Sequence, residues 1–206
     1  GLMLPSSSHT SLAAERAYNV AEAPLEAHER MQRRVGLERT VLVQASGHGT
    51  DNRAMLAALA RLGARGRAVA VVPRDVSMPE LASMRAAGVR GLRLNLVTLA
   101  SRYAGDRVHL VRAHERLVAP LGWHLQIFAD APTLLVMKES LLGCSVPVVI
   151  DHMGLPDAAE GINQPAFQSV LQLLAAEHVW VKLAGADRIT RKSSRLRDAV
   201  PFMRAL

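Results

Sequence analysis

The sequence has one cysteine and few aromatic residues, and it lacks long apolar runs. With Cys144 as the single cysteine among 206 residues, no disulfide framework can form, and a reducing compartment is expected. No apolar run reaches the roughly 18 residues that a membrane helix needs. The apolar pair Met3-Leu4 is too short for the core of a signal peptide. We therefore expect a soluble, cytoplasmic protein with no membrane partner.

The charge balance favours small anions over nucleic acids as partners. The chain carries 25 basic and 18 acidic residues, an excess that attracts anions. Its arginines are scattered along helix faces, and the aromatic residues that stack on bases are 3% of the chain. We therefore expect a small anionic substrate and no nucleic-acid partner, while association into a homo-oligomer stays open.

The sequence repeats one unit, an apolar strand followed by an amphipathic helix. Six apolar segments recur at intervals of roughly 25–30 residues, and each is nearly continuous, as in strands covered on both faces. They are residues 40–45, 68–72, 91–96, 123–128, 147–150 and 179–183. Between them, helical periodicity predicts helices, one of which begins at the capping-box pattern Ser77-Met78-Pro79-Glu80.

Alternating strands and helices predict an α/β fold with a parallel sheet and right-handed crossovers. A closed (β/α)8 TIM barrel has eight strands and about 250 residues. We therefore expect residues 1–206 to form a single but partial barrel domain, lacking a strand before Gly1 and at least one after Leu206. A complete, open six-stranded sheet is the alternative.

The most specific signal lies where the fifth predicted strand ends. Its apolar run leads into Asp151-His152, and Gly154-Leu155-Pro156 then breaks the strand. A (β/α) barrel presents its catalytic groups in this way, at the C-terminal ends of its strands. The alternative is a histidine that only caps a core strand.

Several segments give the sequence a family resemblance. Residues 149–157 and 179–188, with 43–52, 88–95, 15–18 and 120–124, resemble the amidohydrolase-related family. Within it, the sequence is similar to lactonases of the 2-pyrone-4,6-dicarboxylate hydrolase type. The resemblance spans essentially the whole chain, in order.

The resemblance implies a (β/α)8 barrel of the metal-dependent hydrolase type that hydrolyses a small anionic lactone by water attack on the ring carbonyl. His152 would donate to, or orient, the carbonyl oxygen. The family's H-x-H pair and its C-terminal aspartate are absent from this sequence, so we expect the fragment itself to be inactive. No cofactor is expected, although a divalent metal such as zinc would fit a full-length parent. A metal-dependent decarboxylase and an inactive barrel segment are the alternatives.

The resemblance also implies a set of substrate-binding residues. Arg93 lies in an apolar strand, where it would bind a substrate carboxylate in a bidentate manner or form an internal salt bridge. Arg188 matches a residue that binds the second carboxylate. Ser46 and His48 lie in a glycine-rich loop after a strand, and Tyr18 matches a substrate-contacting tyrosine; turn or core roles are their alternatives.

Two departures from the lactonase pattern indicate a related but different substrate. Phe128 stands where those enzymes have a tyrosine, and residues 97–99 replace a second basic residue for which Arg102 is a weak substitute. Other histidines are interpreted as structural or surface groups. They are His124 at the start of a strand, and His28, His109, His114 and His178 on helices or at a helix end.

Overall fold

The computed structural model describes residues 24–97, 107–190 and 196–206. The chain divides into two compact units, Gly1–Arg93 and Leu94–Leu206, and each is described by itself. Within the described ranges, no helix is long and apolar enough to cross a membrane.

The first unit alternates helices and parallel strands. Its elements are α1 (Leu25–Val35), β1 (Thr40–Val43), α2 (Arg53–Leu62), β2 (Gly66–Ala70), α3 (Met78–Ala87) and β3 (Val89–Asn95), whose last two residues belong to the second unit. Strands β1 and β2 pair in parallel from Thr40 opposite Gly66 onwards. Strand β3 continues the sheet in parallel, with a register shift between Ala68 and Val69. Short 3₁₀ helices cover Ser46–His48 and Gly63–Arg65.

Helix α3 begins and ends as its sequence predicts. The Ser77 hydroxyl accepts the Glu80 backbone N–H at 3.3 Å, and the Glu80 carboxylate accepts the Ser77 N–H at 2.9 Å. This reciprocal capping box satisfies two of the free N–H groups at the helix N-terminus. Gly88, with φ of 109°, ends the helix in the left-handed region and leads into β3.

The second unit has the same alternation. Its elements are α4 (Arg107–Val118), β4 (His124–Phe128), α5 (Ala131–Leu142), β5 (Val148–Ile150), α6 (Pro165–Leu174), β6 (Val179–Val181), α7 (Ala186–Ile189) and α8 (Val200–Ala205). Strand β5 pairs in parallel with β4 on one side and β6 on the other. The Leu96 N–H donates to the Phe128 carbonyl at 2.8 Å, which joins the end of β3 to β4. Short 3₁₀ helices cover Ala119–Leu121, His152–Gly154 and Ala158–Glu160.

The core of the second unit lies between its strands and helices α5, α6 and α8. Trp123 and Ile127 from the β4 segment, and Leu134 from α5, are at most 1% exposed. Phe167 of α6 meets Phe202 of α8 edge to face, with ring centroids 4.8 Å apart. Burying side chains of this size contributes about 1.5–3 kcal/mol each, so this core fixes the strand ends that carry the candidate site.

All six predicted strands are confirmed, with shifted ends. Strand β2 begins at Gly66 and ends at Ala70, because the Asn52 side chain takes over the hydrogen bonds of Val71: its amide donates to the Val71 carbonyl at 2.8 Å, and its oxygen accepts the Val71 N–H. The expectation that every strand is covered on both faces is wrong for two of them. Val41 of β1 and Trp180 of β6 are 59% and 64% exposed, since an apolar run does not specify which helices pack over it.

Two short helices end the described chain. Helix α8 begins at Val200, and Leu196 before it has a left-handed φ of 51°. The short helix α7 was not predicted, because its single turn gives no periodicity to detect.

Candidate active site

The chain leaves β5 through an unusual left-handed turn that contains His152. Four consecutive residues, His152 to Leu155, have φ of 52°, 57°, 74° and 47°. Only Gly154 among them adopts this region freely, and each other residue costs about 1–2 kcal/mol there. Such strained non-glycine residues cluster at active sites, where the surrounding structure holds them in place. The His152 turn, defined as residues 152–155, is therefore a candidate functional element.

The His152 turn is fixed by backbone hydrogen bonds. The Leu155 N–H donates to the His152 carbonyl at 3.0 Å, and the Gly154 N–H donates to the Asp151 carbonyl at 3.0 Å. A third bond reaches the neighbouring chain segment, where the Lys182 carbonyl accepts the Met153 N–H at 3.1 Å. These bonds offset part of the cost of the left-handed backbone.

The His152 imidazole lies against Gly185 and Phe128. A side-chain carbon at Gly185 would lie 2.8 Å from both Cβ and Nδ1 of His152, so glycine is what allows this close approach. The Phe128 ring meets the imidazole edge to face, with centroids 5.3 Å apart. The guanidinium of Arg188 also contacts Phe128, with its Cζ 5.8 Å from the ring centroid. The structure therefore brings two predicted site residues, His152 and Arg188, to the same phenylalanine.

A buried polar network lies beside the turn. The Gln126 amide of β4 donates to both carboxylate oxygens of Asp151 at 2.9 Å. The Lys182 ammonium lies 3.0 Å from Oδ1 of the same carboxylate. Asp151 and Gln126 are 2% and 1% exposed, whereas the Lys182 side chain is 37% exposed. The cation and the amide together compensate a charge that would be costly to bury alone.

Sequence reasoning missed two members of this network. Asp151 was considered only as the neighbour of His152 at the strand end. The available signals were Gln126, a polar residue between Leu125 and Ile127 of an apolar strand, and Lys182, which directly follows an apolar strand. Buried polar residues in strands indicate a hydrogen-bonded network, but they do not identify its members.

In the first unit, Ser46 and His48 lie in the buried segment after β1. Gln44 holds this segment by donating to the carbonyls of Gly49 at 3.2 Å and Asp51 at 2.8 Å. His48 is 5% exposed, and neither of its ring nitrogens has a hydrogen-bond partner within the described residues. A buried imidazole without partners is energetically unfavourable, so it is suited to a ligand or an ordered water.

Two further features of the first unit bear on the predicted site. Arg93 is 8% exposed in β3, between Leu92 and Leu94, which confirms its burial in an apolar strand. Its carboxylate-binding role and the internal salt bridge both stay predictions. Just before α2, the hydrogen bond from Arg53 holds the pKa of the Asp51 carboxyl below its ordinary value, despite partial burial.

Other predictions have mixed outcomes. Tyr18 and Arg102 lie outside the described residues. His124 starts β4, at the opposite end from Phe128, as the structural interpretation requires. The interpretation of His114 as a surface group is wrong: it is 5% exposed, and its Nδ1 donates to the Leu110 carbonyl one turn earlier at 2.9 Å.

Within residues 24–97, 107–190 and 196–206, no group of three or more His, Cys, Asp or Glu side chains is arranged to hold a metal ion. The metal-dependent decarboxylase stays a prediction.

Comparison with known proteins places the chain among amidohydrolases. The amidohydrolase family model matches residues 8–206. The chain is 33% identical over 201 residues to the 2-pyrone-4,6-dicarboxylate hydrolase of Comamonas testosteroni, covering 93% of this chain and 65% of that protein. It is 31% identical over 194 residues to the 4-sulfomuconolactone hydrolase of Hydrogenophaga intermedia, covering 93% and 63%. The chain thus spans a little under two thirds of the length of these two relatives.

A similar crystal structure supports the fold. A protein of Acinetobacter baumannii, assigned as a 2-pyrone-4,6-dicarboxylic acid hydrolase and crystallised with citric acid, superposes with a TM-score of 0.79 at 28% identity. The match covers 99% of this chain and 74% of that one. The predicted fold, a partial (β/α) barrel of the amidohydrolase type, is confirmed.

Proposed function

We propose that this chain, which belongs to the amidohydrolase family, serves the hydrolysis of a small anionic lactone similar to 2-pyrone-4,6-dicarboxylate. The reaction is attack of water on the ring carbonyl, which opens the ring to a carboxylate and a hydroxyl group. The observation that carries the proposal is the shared contact of His152 and Arg188 with Phe128, because it brings together the imidazole proposed as a hydrogen-bond donor and the guanidinium proposed to bind an anion. The similarity to two lactone hydrolases supports it.

His152 would act on the carbonyl oxygen that becomes negative as water adds. An imidazole N–H that hydrogen-bonds this oxygen more strongly in the transition state than in the substrate accelerates the reaction. One such donor contributes roughly 2.7–4 kcal/mol, or a factor of about 100–1,000 in turnover. The rigid left-handed backbone of residues 152–155 would hold the donor in place before the substrate arrives.

Arg188 and Arg93 would bind the negative groups of the substrate. A guanidinium matches a carboxylate with two parallel N–H···O bonds. Arg188 is exposed beside Phe128 and forms no ion pair with another described residue. It can therefore bind an anion without first losing such a pair. The formal net charge of +7 would attract such a substrate, and the similar Acinetobacter structure holds citric acid, a tricarboxylic acid.

Ser46, His48 and Tyr18 would supply polar contacts to the rest of the substrate. Of these, His48 has the strongest support, because its buried ring nitrogens have no partner in the described part of the chain. A ligand that hydrogen-bonds this ring would remove an existing energetic cost.

The presence of Phe128, where the lactonase pattern has a tyrosine, favours a substrate that differs from 2-pyrone-4,6-dicarboxylate itself. It lies between the imidazole of His152 and the guanidinium of Arg188 and offers them an aromatic ring without a hydroxyl group. A site that hydrogen-bonds a substrate group discriminates strongly, and a site without that bond does not. We therefore expect weaker discrimination among anionic lactones that differ in the substrate group next to Phe128.

The test is steady-state kinetics on a panel of lactones, with the protein as its gene encodes it. Matched anionic and neutral lactones are compared by following ring opening spectroscopically or by acid release. His152→Asn should lower kcat by about 100- to 1,000-fold with an unchanged circular dichroism spectrum. Arg188→Met should raise KM for the anionic lactone at least tenfold and leave KM for the neutral one unchanged.

The matched control is Arg116→Met, which removes an exposed arginine of α4 in the same unit. It lowers the net charge equally and should leave both KM values unchanged. If Arg116→Met and Arg188→Met raise KM for the anionic lactone equally, Arg188 contributes only to the overall positive electrostatic potential of the protein. Full turnover in His152→Asn would remove the imidazole from the mechanism.

A further inference from the structure

We propose that Lys182 is a positioning residue that holds the His152 turn in its left-handed conformation. Lys182 lies beside the candidate imidazole and is not itself proposed to touch the substrate. Its effect on turnover rests on the proposed lactone hydrolysis, whereas its effect on the turn can be measured without any substrate.

Lys182 contacts the segment around His152 at three points. Its backbone N–H donates to the Ile150 carbonyl at 2.9 Å, which extends the β5–β6 pairing by one residue. Its carbonyl accepts the Met153 N–H at 3.1 Å. Its ammonium lies 3.0 Å from the Asp151 carboxylate. Residues 150, 151 and 153 are thus each bound to Lys182, and they bracket His152 on both sides.

The ammonium fixes a carboxylate that is already held from the other side. The Gln126 amide donates to both Asp151 oxygens, and this orientation follows from chemistry, because an amide oxygen facing a carboxylate would be repelled. With Gln126 on one side and Lys182 on the other, the carboxylate has little rotational freedom. Asp151 directly precedes His152, so this arrangement defines where the left-handed turn begins.

A positioning role fits the exposure of Lys182 better than a role in global stability. Its side chain is 37% exposed, and an ion pair with one partly exposed member is weakened by solvent screening. Losing the ammonium should therefore loosen the neighbouring turn and leave the core intact. The core of this unit contains Trp123, Leu125 and Phe167, which are at most 1% exposed and contribute no atom to the ion pair.

The experiment combines kinetics with hydrogen exchange on the protein as its gene encodes it. In Lys182→Met, amide exchange of Met153 should accelerate at least tenfold, because the turn opens more often. On an anionic lactone, kcat should fall at least tenfold while KM stays within twofold, because substrate binding is untouched and only the donor is misplaced. Lys182→Arg, which keeps the cation, should return both values to within threefold of the wild type.

The matched control is Lys138→Met on α5, which removes a lysine that hydrogen-bonds Gln172 at 2.9 Å. It should change neither Met153 exchange nor kcat. If Lys182→Met does not fold, Lys182→Met/Asp151→Asn removes the buried charge together with its partner. The double variant should fold and should show the same accelerated exchange.

Three results would overturn the proposal. One is that amide exchange of Met153 is unchanged in Lys182→Met and in Lys182→Met/Asp151→Asn. Another is that Lys182→Met leaves kcat unchanged on a lactone that the wild type hydrolyses. The third is a raised KM with normal kcat, which would make Lys182 a substrate-binding group. If the wild type hydrolyses no lactone in the panel, the proposed function fails. Met153 exchange then decides on positioning alone.

Discussion

Replacing Gly154 by alanine tests whether the close packing of the His152 turn is as tight as the structure indicates. Gly154 has φ of 74°, and an added Cβ would lie 2.7 Å from Cγ2 of Val170 and 2.9 Å from Cδ1 of Leu134. The left-handed backbone costs a non-glycine residue about 1–2 kcal/mol. Overpacking a core adds about 1–3 kcal/mol. We therefore expect Gly154→Ala to lower the free energy of unfolding by about 2–5 kcal/mol.

Gly122 provides the matched control for the backbone contribution. Its φ of 65° is also left-handed, but an added Cβ would meet no atom within 4 Å. Gly122→Ala should therefore lower the free energy of unfolding only through the left-handed backbone, by about 1–2 kcal/mol. Both variants reduce the entropy of the unfolded chain alike, so that contribution cancels in the comparison.

The assay is urea denaturation followed by circular dichroism, together with thermal melting of both variants. The difference between them should be about 1–3 kcal/mol. At about 2–4 °C per kcal/mol, Gly154→Ala should melt roughly 2–12 °C below Gly122→Ala. Equal stabilities would refute the reasoning, because they would mean that Val170 and Leu134 move aside without cost.

Two further predictions concern the second unit. Burial raises the pKa of Glu115, but hydrogen bonds from Ser145 and Arg112 outweigh this effect and hold the pKa below its ordinary value of 4.5. The ionised carboxylate therefore stabilises the folded state fully above pH 4.5, and this stabilisation is lost as the pH falls through the pKa of the folded state. Denaturation across pH should show Glu115→Gln about 1.5–3 kcal/mol less stable than wild type near pH 7 and a smaller gap below pH 4, and a pH-independent gap would contradict this. Gly185→Ala would put a carbon 2.8 Å from His152 Nδ1 and should lower kcat with little change in KM, so an unchanged kcat would show that the imidazole position is not critical.

The fold could be predicted from the sequence to a large extent because its signals are local. Apolar runs gave the six strands, and helix α3 followed from a capping pattern whose hydrogen bonds all lie within a few residues. The ends of strands depend on distant groups. Asn52 lies 19 residues before Val71 in sequence, and its side chain ends β2 by hydrogen-bonding the N–H and carbonyl of Val71. No local sequence pattern contains that information.

The candidate site was predictable only in part, for a similar reason. His152 was identified because a strand ending in a histidine and a glycine is a local signal. The left-handed backbone of the turn was not predicted, since Met153 and Leu155 have no intrinsic preference for positive φ. That conformation depends on Lys182, which is 29 residues from Met153 in sequence and adjacent to it across the β5–β6 pair.

The neighbouring strand also explains how this turn can remain strained. Three non-glycine residues in the left-handed region together cost about 3–6 kcal/mol. Backbone hydrogen bonds contribute about 0.5–1.5 kcal/mol each, so the three bonds of the turn contribute about 1.5–4.5 kcal/mol, which is less than the cost when the midpoints of the two ranges are compared. The balance comes from the buried surroundings of the turn, where Met153 is fully buried and Gly154 packs against Val170 and Leu134. The conformation of His152 is therefore imposed by the core and by β6, and substitutions far from the imidazole in sequence should control it.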